Sequence, residues 1–449
     1  KTRGDTVFAG SVNGNGSLLV RVTALPKDST LARILHLVED AQSKKAPAQA
    51  LVERFGRIYT PIVLVSALLL ALVGPLVAPG INWLYRALTL LVVACPCALV
   101  IATPVAYVSG IARAARSGVL VKGGAYLEAL AACRCVALDK TGTLTTGKPT
   151  VSDILPAPGV STDELLTVAA AAEMHSDHPI AATIVREAAS RGLPALISTD
   201  AHAIPGRGVT AVIEGETVLV GTMELLRQRD VAIPTEVEAE AQRLSTQGGT
   251  TLLVARGNRV LGTIAVSDTV RPEAAEAVAD LRRLGLTPTI LTGDSEGAAR
   301  RVASVVGVDD VRASLLPEDK LTAVQEMTRR GERPVFVGDG INDAPALAAA
   351  SVGIAMGTGG TAAAIEAADI ALMQSDLSRI PWAIRLARAT RAVVLQNVVL
   401  ALGTVAVLLV ATFTGWLKLP VGVVGHEASA LIVILNGLRL LSPRLTRLG

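Results

Sequence analysis

Four windows of the chain are apolar for long enough to cross a bilayer as helices: Pro61 to Pro79, Ala87 to Ala112, Ala392 to Leu417, and Leu419 to Leu438. They come in two close pairs. Between the pairs, Arg113 to Arg391 has ordinary soluble composition and room for two globular domains. Ahead of the first window, Thr6 to Ala24 alternates as a strand does. Leu31 to Phe55 has helical spacing rich in charge, which predicts a cytoplasmic stalk entering the first span.

Charge orients this pattern. Arg113, Arg116 and Lys122 follow the second window, Arg391 precedes the third, and Arg439, Arg444 and Arg447 follow the fourth. The positive-inside rule therefore places the long soluble block and the C-terminal residues in the cytoplasm, with the connectors at Gly80 to Arg86 and around Lys418 outside. The expected location is multi-pass in a cell membrane, the bacterial plasma membrane, with the lipid bilayer as partner. The net charge of +3 has its excess at these flanks, so nothing argues for nucleic acid. Four cysteines in 449 residues make no secreted disulfide framework. The opening at Lys1 is polar and glycine-rich, reading as the middle of a domain and not as a cleavable signal.

Three polar turns follow short β-rich runs in the soluble block. Val136 to Leu138 leads into Asp139-Lys140-Thr141-Gly142-Thr143, Thr289 to Leu291 into Thr292-Gly293-Asp294, and Pro334 to Val337 into Gly338-Asp339-Gly340-Ile341-Asn342-Asp343. Lys320 lies between the last two. An aspartate at a strand end in an open α/β sheet points into the ligand crevice. Asp139 there is a candidate carboxylate nucleophile toward a phosphoryl group. Phosphoryl transfer asks for Mg²⁺ on carboxylates, a lysine, and hydroxyl or amide donors. Asp139, Asp339 and Asp343 supply hard oxygens, and Thr292, Gly293 and Lys320 suit the phosphate.

These residues in this order resemble the P-type ATPases, a branch of the haloacid dehalogenase superfamily. The resemblance implies a Rossmann-like phosphorylation domain in which ATP phosphorylates Asp139, with Lys140 and Asp294 in the same catalytic loops. It also implies Mg²⁺ on Asp139, Asp339 and the Thr141 carbonyl, with Asp343 in the same region. Soluble relatives carry a second aspartate as general acid where this chain has Thr141, which favours a persisting phosphoenzyme.

Glu173-Met174-His175-Ser176-Asp177-His178-Pro179 falls in the insertion after the first turn. A histidine before proline reads locally as packing or capping. Heavy-metal members of the family carry Ser-Glu-His-Pro in their nucleotide domain, and here Asp177 replaces the glutamate. The resemblance implies that His178 contacts adenine, with Glu173, Gly206 and Gly208 helping to seat ATP.

The second window contains Cys95-Pro96-Cys97. On a straight helix the two thiols would lie about 200° apart. Pro96 breaks the helix, and Pro104 is expected to add a second break, so both sulfurs can converge on one soft or borderline ion. Cys-Pro-Cys in the span before the phosphorylation loop resembles the heavy-metal branch of the family. In the fourth window His426 and Glu427 form an ionisable pair at membrane depth, by default functional. A carboxylate and an imidazole added to thiolates suit Zn²⁺, Cd²⁺ or Co²⁺ better than Cu⁺. All five methionines lie outside the windows. His426-Glu427 resembles the cobalt-type subgroup, which has Ser-Pro-Cys in place of Cys-Pro-Cys. The lysine and aspartate of zinc and lead members are absent. Cys133 and Cys135, at a strand start, read as core residues, and His36 and His202 receive no role.

The expected organisation is α/β plus membrane α-helical. Residues 1–45 are the end of an actuator domain and stalk, 46–112 a helix pair with Cys-Pro-Cys, and 113–148 and 263–385 the two parts of a phosphorylation domain. An inserted α+β nucleotide-binding domain occupies 149–262, and 386–449 is a second helix pair. The resemblance places the actuator's Thr-Gly-Glu loop just before Lys1, so the chain reads as N-terminally truncated. The expected activity is ATP-driven export of Cd²⁺ or Zn²⁺, with Co²⁺ admitted, and a cytoplasmic metal donor is an admissible partner. The alternatives are a Cu⁺ exporter and a membrane-anchored phosphatase.

Overall fold

The computed structural model describes residues 21, 47–176, 178–204, 207–246, 248–339, 343–357, 367–414 and 416–442. The β pattern at Thr6 to Ala24, but for Arg21, and the stalk up to residue 46 lie outside them. Helix α1 (Pro47–Val77) holds the first apolar window. The second window is two helices, α2 (Trp83–Val93) and α3 (Cys97–Arg116), parted at Ala94 to Pro96 as the proline predicts. At Pro104 the expectation fails, because α3 runs on through it. Ala102, Thr103 and Ala106 on either side are fully buried, and the packing of that face holds the turn despite the missing N–H.

Strand β1 (Val119–Val121), helix α4 (Gly124–Ala131) and strand β2 (Cys135–Asp139) lead into the soluble block. Next come β3 (Thr145–Pro156), α5 (Thr162–Glu173), α6 (Pro179–Ser190), β4 (Ser198–Ile204), β5 (Gly208–Ile213) and β6 (Glu216–Gly221). Helices α7 (Met223–Gln228) and α8 (Thr235–Thr246) precede β7 (Thr250–Arg256) and β8 (Arg259–Val270). These strands make an antiparallel sheet of order β3-β8-β7-β6-β5-β4. Alternation buries Val209, Ala211 and Ile213 on one face of β5. The same core takes Leu165, Leu166, Ala169 and Ala172 of α5, whose Ser161 cap accepts a bond from the Glu164 N–H. Leu165 and Leu166 are wholly buried, each worth about 2 kcal/mol of apolar transfer.

From β8 onward strands alternate with amphipathic helices, as a parallel sheet requires. They are α9 (Ala274–Arg283), β9 (Thr287–Leu291), α10 (Glu296–Val306), β10 (Asp310–Arg312), α11 (Pro317–Arg329), β11 (Pro334–Gly338), α12 (Ala344–Ala349), β12 (Val352–Ala355) and β13 (Ile370–Leu372). The sheet order is β1-β13-β12-β11-β2-β9-β10. Strand β2 runs parallel to β9, with Asp139 opposite Leu291. Order reverses on either side of β2, so the turns after β2, β9 and β11 open at one crevice.

Helices α13 (Arg379–Phe413) and α14 (Leu419–Leu438) carry the last two windows. Helix α13 starts well before Ala392, because Ile380, Ala383, Ile384, Leu386 and Ala387 are buried between its arginines. Among the described residues, four helical segments are long and apolar enough to span a membrane, by length and composition. The chain divides into two compact units, one of residues 1–134, 327–335 and 347–449, the other of 135–326 and 336–346. The membrane helices fall in the first, and Asp139, Lys320, Asp339 and Asp343 in the second.

Candidate phosphorylation and metal sites

The candidate crevice is built from strand ends. Asp139 closes β2, nearly inaccessible at 4 % exposure. Lys320, from the first turns of α11, donates from Nζ to Asp139 Oδ1 at 2.6 Å and to Asp343 Oδ1 at 2.8 Å. Burial, and then the Asp343 charge, push the Asp139 carboxyl up to about 7 against the pull of Lys320. Burial opposes the charge on Lys320 as well, yet the Asp139 and Asp343 carboxylates hold its amine above the ordinary value. Asp339 is raised by burial and by Asp343.

Oxygens of Asp139, Asp339 and Asp343 lie within 4.8 Å of one another. Three carboxylates that close repel unless a cation joins them, and their hard oxygens fit Mg²⁺. Gly142 makes the approach possible: its φ of 72° is left-handed, and a Cβ there would overlap the Asp339 carboxylate. The hydroxyl of Thr141 turns away, to Asp294 at 3.5 Å, and Lys140 forms an ion pair with the same Asp294. The turn after β9 is itself tied down, since Thr292 Oγ1 accepts from the Asp294 N–H at 3.1 Å.

Residues that the motifs did not single out complete the crevice. Arg271 donates to the carbonyls of Thr143 at 2.8 Å and Gly142 at 2.9 Å, holding the turn after β2 by its backbone. Asp268 accepts from the hydroxyls of Thr145 and Thr146. The available signal was an Asp and an Arg three apart, directly after the apolar run of β8. A cleft of about 460 Å³ is lined by Lys140, Thr141, Asp294 and Asp268 together with Ile180, Ser245 and Gly248.

Of the residues expected to seat nucleotide, His178 is exposed and caps α6, its Nδ1 accepting from the Ile180 N–H at 3.2 Å. The local capping reading of a histidine before proline therefore holds. Glu173 is buried at the end of α5, and burial pushes its carboxyl up to about 7 against a hydrogen bond with Ser176. Gly208 starts β5, where a side chain would strike the backbone of Val220 and Gly221. Gly206 and Asp177 lie outside the described residues. Cys133 and Cys135 are buried, as core residues should be, and burial pushes the Cys133 thiol up to about 11.

In the membrane helices, Cys95, Cys97 and His426 present their ligand atoms within 4.8 Å of one another. Cys95 lies in the break between α2 and α3, and Cys97 begins α3. Their Cα atoms are 5.5 Å apart and their sulfurs meet, so as thiolates the pair can ligate one ion. His426 is buried at 4 % exposure. Glu427 does not join the group: it is exposed, because the next residue on a helix points about 100° away. Of the four residues expected at the ion site, the structure brings together Cys95, Cys97 and His426.

The sequence model of haloacid dehalogenase-like hydrolases matches residues 133–351, and that of the P-type ATPase actuator domain residues 1–39. The crystal structure of a zinc-transporting PIB-type ATPase in its E2.Pi state has a TM-score of 0.81 at 45% identity, covering 93% of this chain and 68% of that one. The chain belongs to the P-type ATPases. A cadmium-transporting ATPase of Staphylococcus aureus is 42% identical to this P-type ATPase chain over 444 residues, 97% of this chain and 61% of its own. The zinc/cadmium/lead-transporting P-type ATPase of Escherichia coli (strain K12) is 44% identical over 451 residues, 99% of this chain and 60% of its own. The chain thus spans about three fifths of the length of these curated relatives. But for Arg21, the actuator match falls on residues outside the described ones.

Proposed function

We propose that this chain carries the ion path and the phosphorylation machinery of an ATP-driven exporter of Zn²⁺ or Cd²⁺, working through an aspartyl phosphate at Asp139. The observation that carries the reading is the convergence of Cys95, Cys97 and His426 inside the membrane helices. Two thiolates and an imidazole are a donor set for borderline or soft divalent ions, and no thioether lies among them to favour Cu⁺. Relatives named for cadmium, zinc and lead agree with this choice, and Co²⁺ remains a substrate to test.

The cytoplasmic chemistry follows from the crevice. Asp139 is the nucleophile, and an oxygen of its carboxylate attacks the terminal phosphoryl group of ATP as ADP leaves. Lys320 cancels charge between Asp139 and Asp343 while the phosphoryl oxygens approach. Asp139, Asp339 and Asp343 would hold Mg²⁺, which supplies charge neutralisation on the transferring group. Thr141, in place of a carboxylic acid, offers no general acid or base, so the phosphoenzyme persists long enough to reorganise the membrane helices. His178, Glu173 and Gly208 border the nucleotide's base in this reading, and the cleft lined by Lys140 and Asp294 takes the phosphate chain.

The test is phosphoenzyme formation from ATP on the full-length protein, with Zn²⁺, Cd²⁺, Co²⁺ and Cu⁺ supplied in turn. Acid-stable labelling stimulated by Zn²⁺ or Cd²⁺ is expected. Stimulation by Cu⁺ alone would overturn the divalent assignment. Absence of any acid-stable phosphoenzyme would favour a membrane-anchored phosphatase.

A further inference from the structure

Helix α3 begins at the metal group with Cys97, and helix α4 leads directly into β2 and Asp139. A polar contact joins them: Tyr107 Oη donates to Glu128 Oε2 at 2.9 Å. A tyrosine near the end of a membrane helix ordinarily turns its hydroxyl to the headgroup water. Tyr107 is instead 4 % exposed. One turn further along α3, Gly110 leaves no room between helices. A Cβ there would lie 2.7 Å from Thr390 Oγ1 of α13 and 3.0 Å from Leu127 Cδ2 of α4. Three helices thus pack closely at one level, and Tyr107 makes a directional bond there.

We propose that Tyr107 is a positioning residue for the pump reaction: its bond to Glu128 makes α3 and α4 move as one body, so that ion occupancy at the Cys95, Cys97 and His426 group sets the reactivity of Asp139. This rests on the exporter reading above. Close packing at Gly110 alone permits the helices to slide or pivot, whereas a buried hydroxyl bonded to a carboxylate cannot be left unpaired without cost. The bond therefore allows two arrangements of the pair only if both helices move together. Thr390 satisfies its own hydroxyl on the Leu386 carbonyl.

The experiment uses full-length protein in lipid and detergent, comparing wild type with Tyr107→Phe, Glu128→Ala, Glu128→Gln and the Tyr107→Phe/Glu128→Ala double variant. Three quantities are read: Zn²⁺ or Cd²⁺ bound, labelling from ATP with and without that ion, and labelling from inorganic phosphate without it. Tyr107→Phe and Glu128→Ala should keep bound ion and labelling from phosphate within about 2-fold of wild type, while the ion's stimulation of labelling from ATP falls roughly 5-fold or more. The double variant should be no worse than either single one, and Glu128→Gln, which keeps an acceptor oxygen, should retain most of the stimulation. Unchanged stimulation in Tyr107→Phe overturns the proposal. So does an equal fall in all three quantities, which means a structural role only. A wild-type control labelled equally with and without ion overturns the exporter reading and this proposal with it.

Discussion

Lys320 Nζ lies 2.6 Å from Asp139 Oδ1, although 181 residues of chain separate them. The amine is shared with Asp343, so a single cation sits between two buried carboxylates. Removing it leaves two buried carboxylates uncompensated, a costly state. Lys320→Ala is expected to lower phosphoenzyme formation about 100-fold or more, and Asp139→Asn to abolish it. Acid-quenched labelling with radioactive ATP measures both. Wild-type labelling in Asp139→Asn would mean that the acceptor lies elsewhere.

Gly142 is the second point at which the crevice depends on one atom. Gly142→Ala would pay about 1 kcal/mol for a left-handed residue and push a methyl into the Asp339 carboxylate. The expected result is nucleotide binding close to wild type with labelling reduced roughly 10-fold or more, because Asp339 positions charge and not the base. Comparing nucleotide affinity with labelling rate separates the two effects. Parallel loss of both would place Gly142 in nucleotide binding instead.

For the membrane site, Cys97→Ser and His426→Ala should each weaken Zn²⁺ or Cd²⁺ binding by about 10-fold or more in the reduced protein, and Glu427→Gln by less than either. Equilibrium dialysis with each ion gives the comparison. The ranking follows from His426 facing the sulfurs while Glu427 faces outward. An equal or larger loss in Glu427→Gln would restore the carboxylate to the site.

Glu173 predicts a pH dependence. Burial raises its carboxyl from 4.5 to about 7, so the folded state holds this proton more tightly than the unfolded chain does. Its contribution to stability is complete below about 4.5 and is lost as pH rises through about 7. Glu173→Gln should therefore match wild type in thermal unfolding at low pH and exceed it near pH 8, by on the order of 2 kcal/mol. A difference between the two proteins that does not change with pH would remove the carboxyl's ionisation as its cause.

Much of this was legible along the chain because it is written locally. Apolar windows announce membrane helices through length alone, and the break at Pro96 follows from a missing N–H. Asp139, Thr292 and Asp339 could be read as crevice residues because each follows a β-rich run into a polar turn. Pro104 was misread for the same reason: by itself a proline interrupts a helix, and only the buried flank of Ala102, Thr103 and Ala106 overrules it. Arg271 and Asp268 escaped notice because their partners are backbone carbonyls and hydroxyls more than 100 residues away.

The sequence by itself determined the apolar windows, the aspartate at the end of a β-rich run and the thiol pair, since each rests on covalent neighbours or on a period of a few residues. Tertiary structure decided the rest. That Lys320 bridges Asp139 and Asp343 depends on the strand order around β2, and that His426 but not Glu427 meets the thiols depends on which face of α14 turns inward. Both are set by packing between elements distant in the chain, where one rotation of a helix or one exchange of strands moves every side chain it carries.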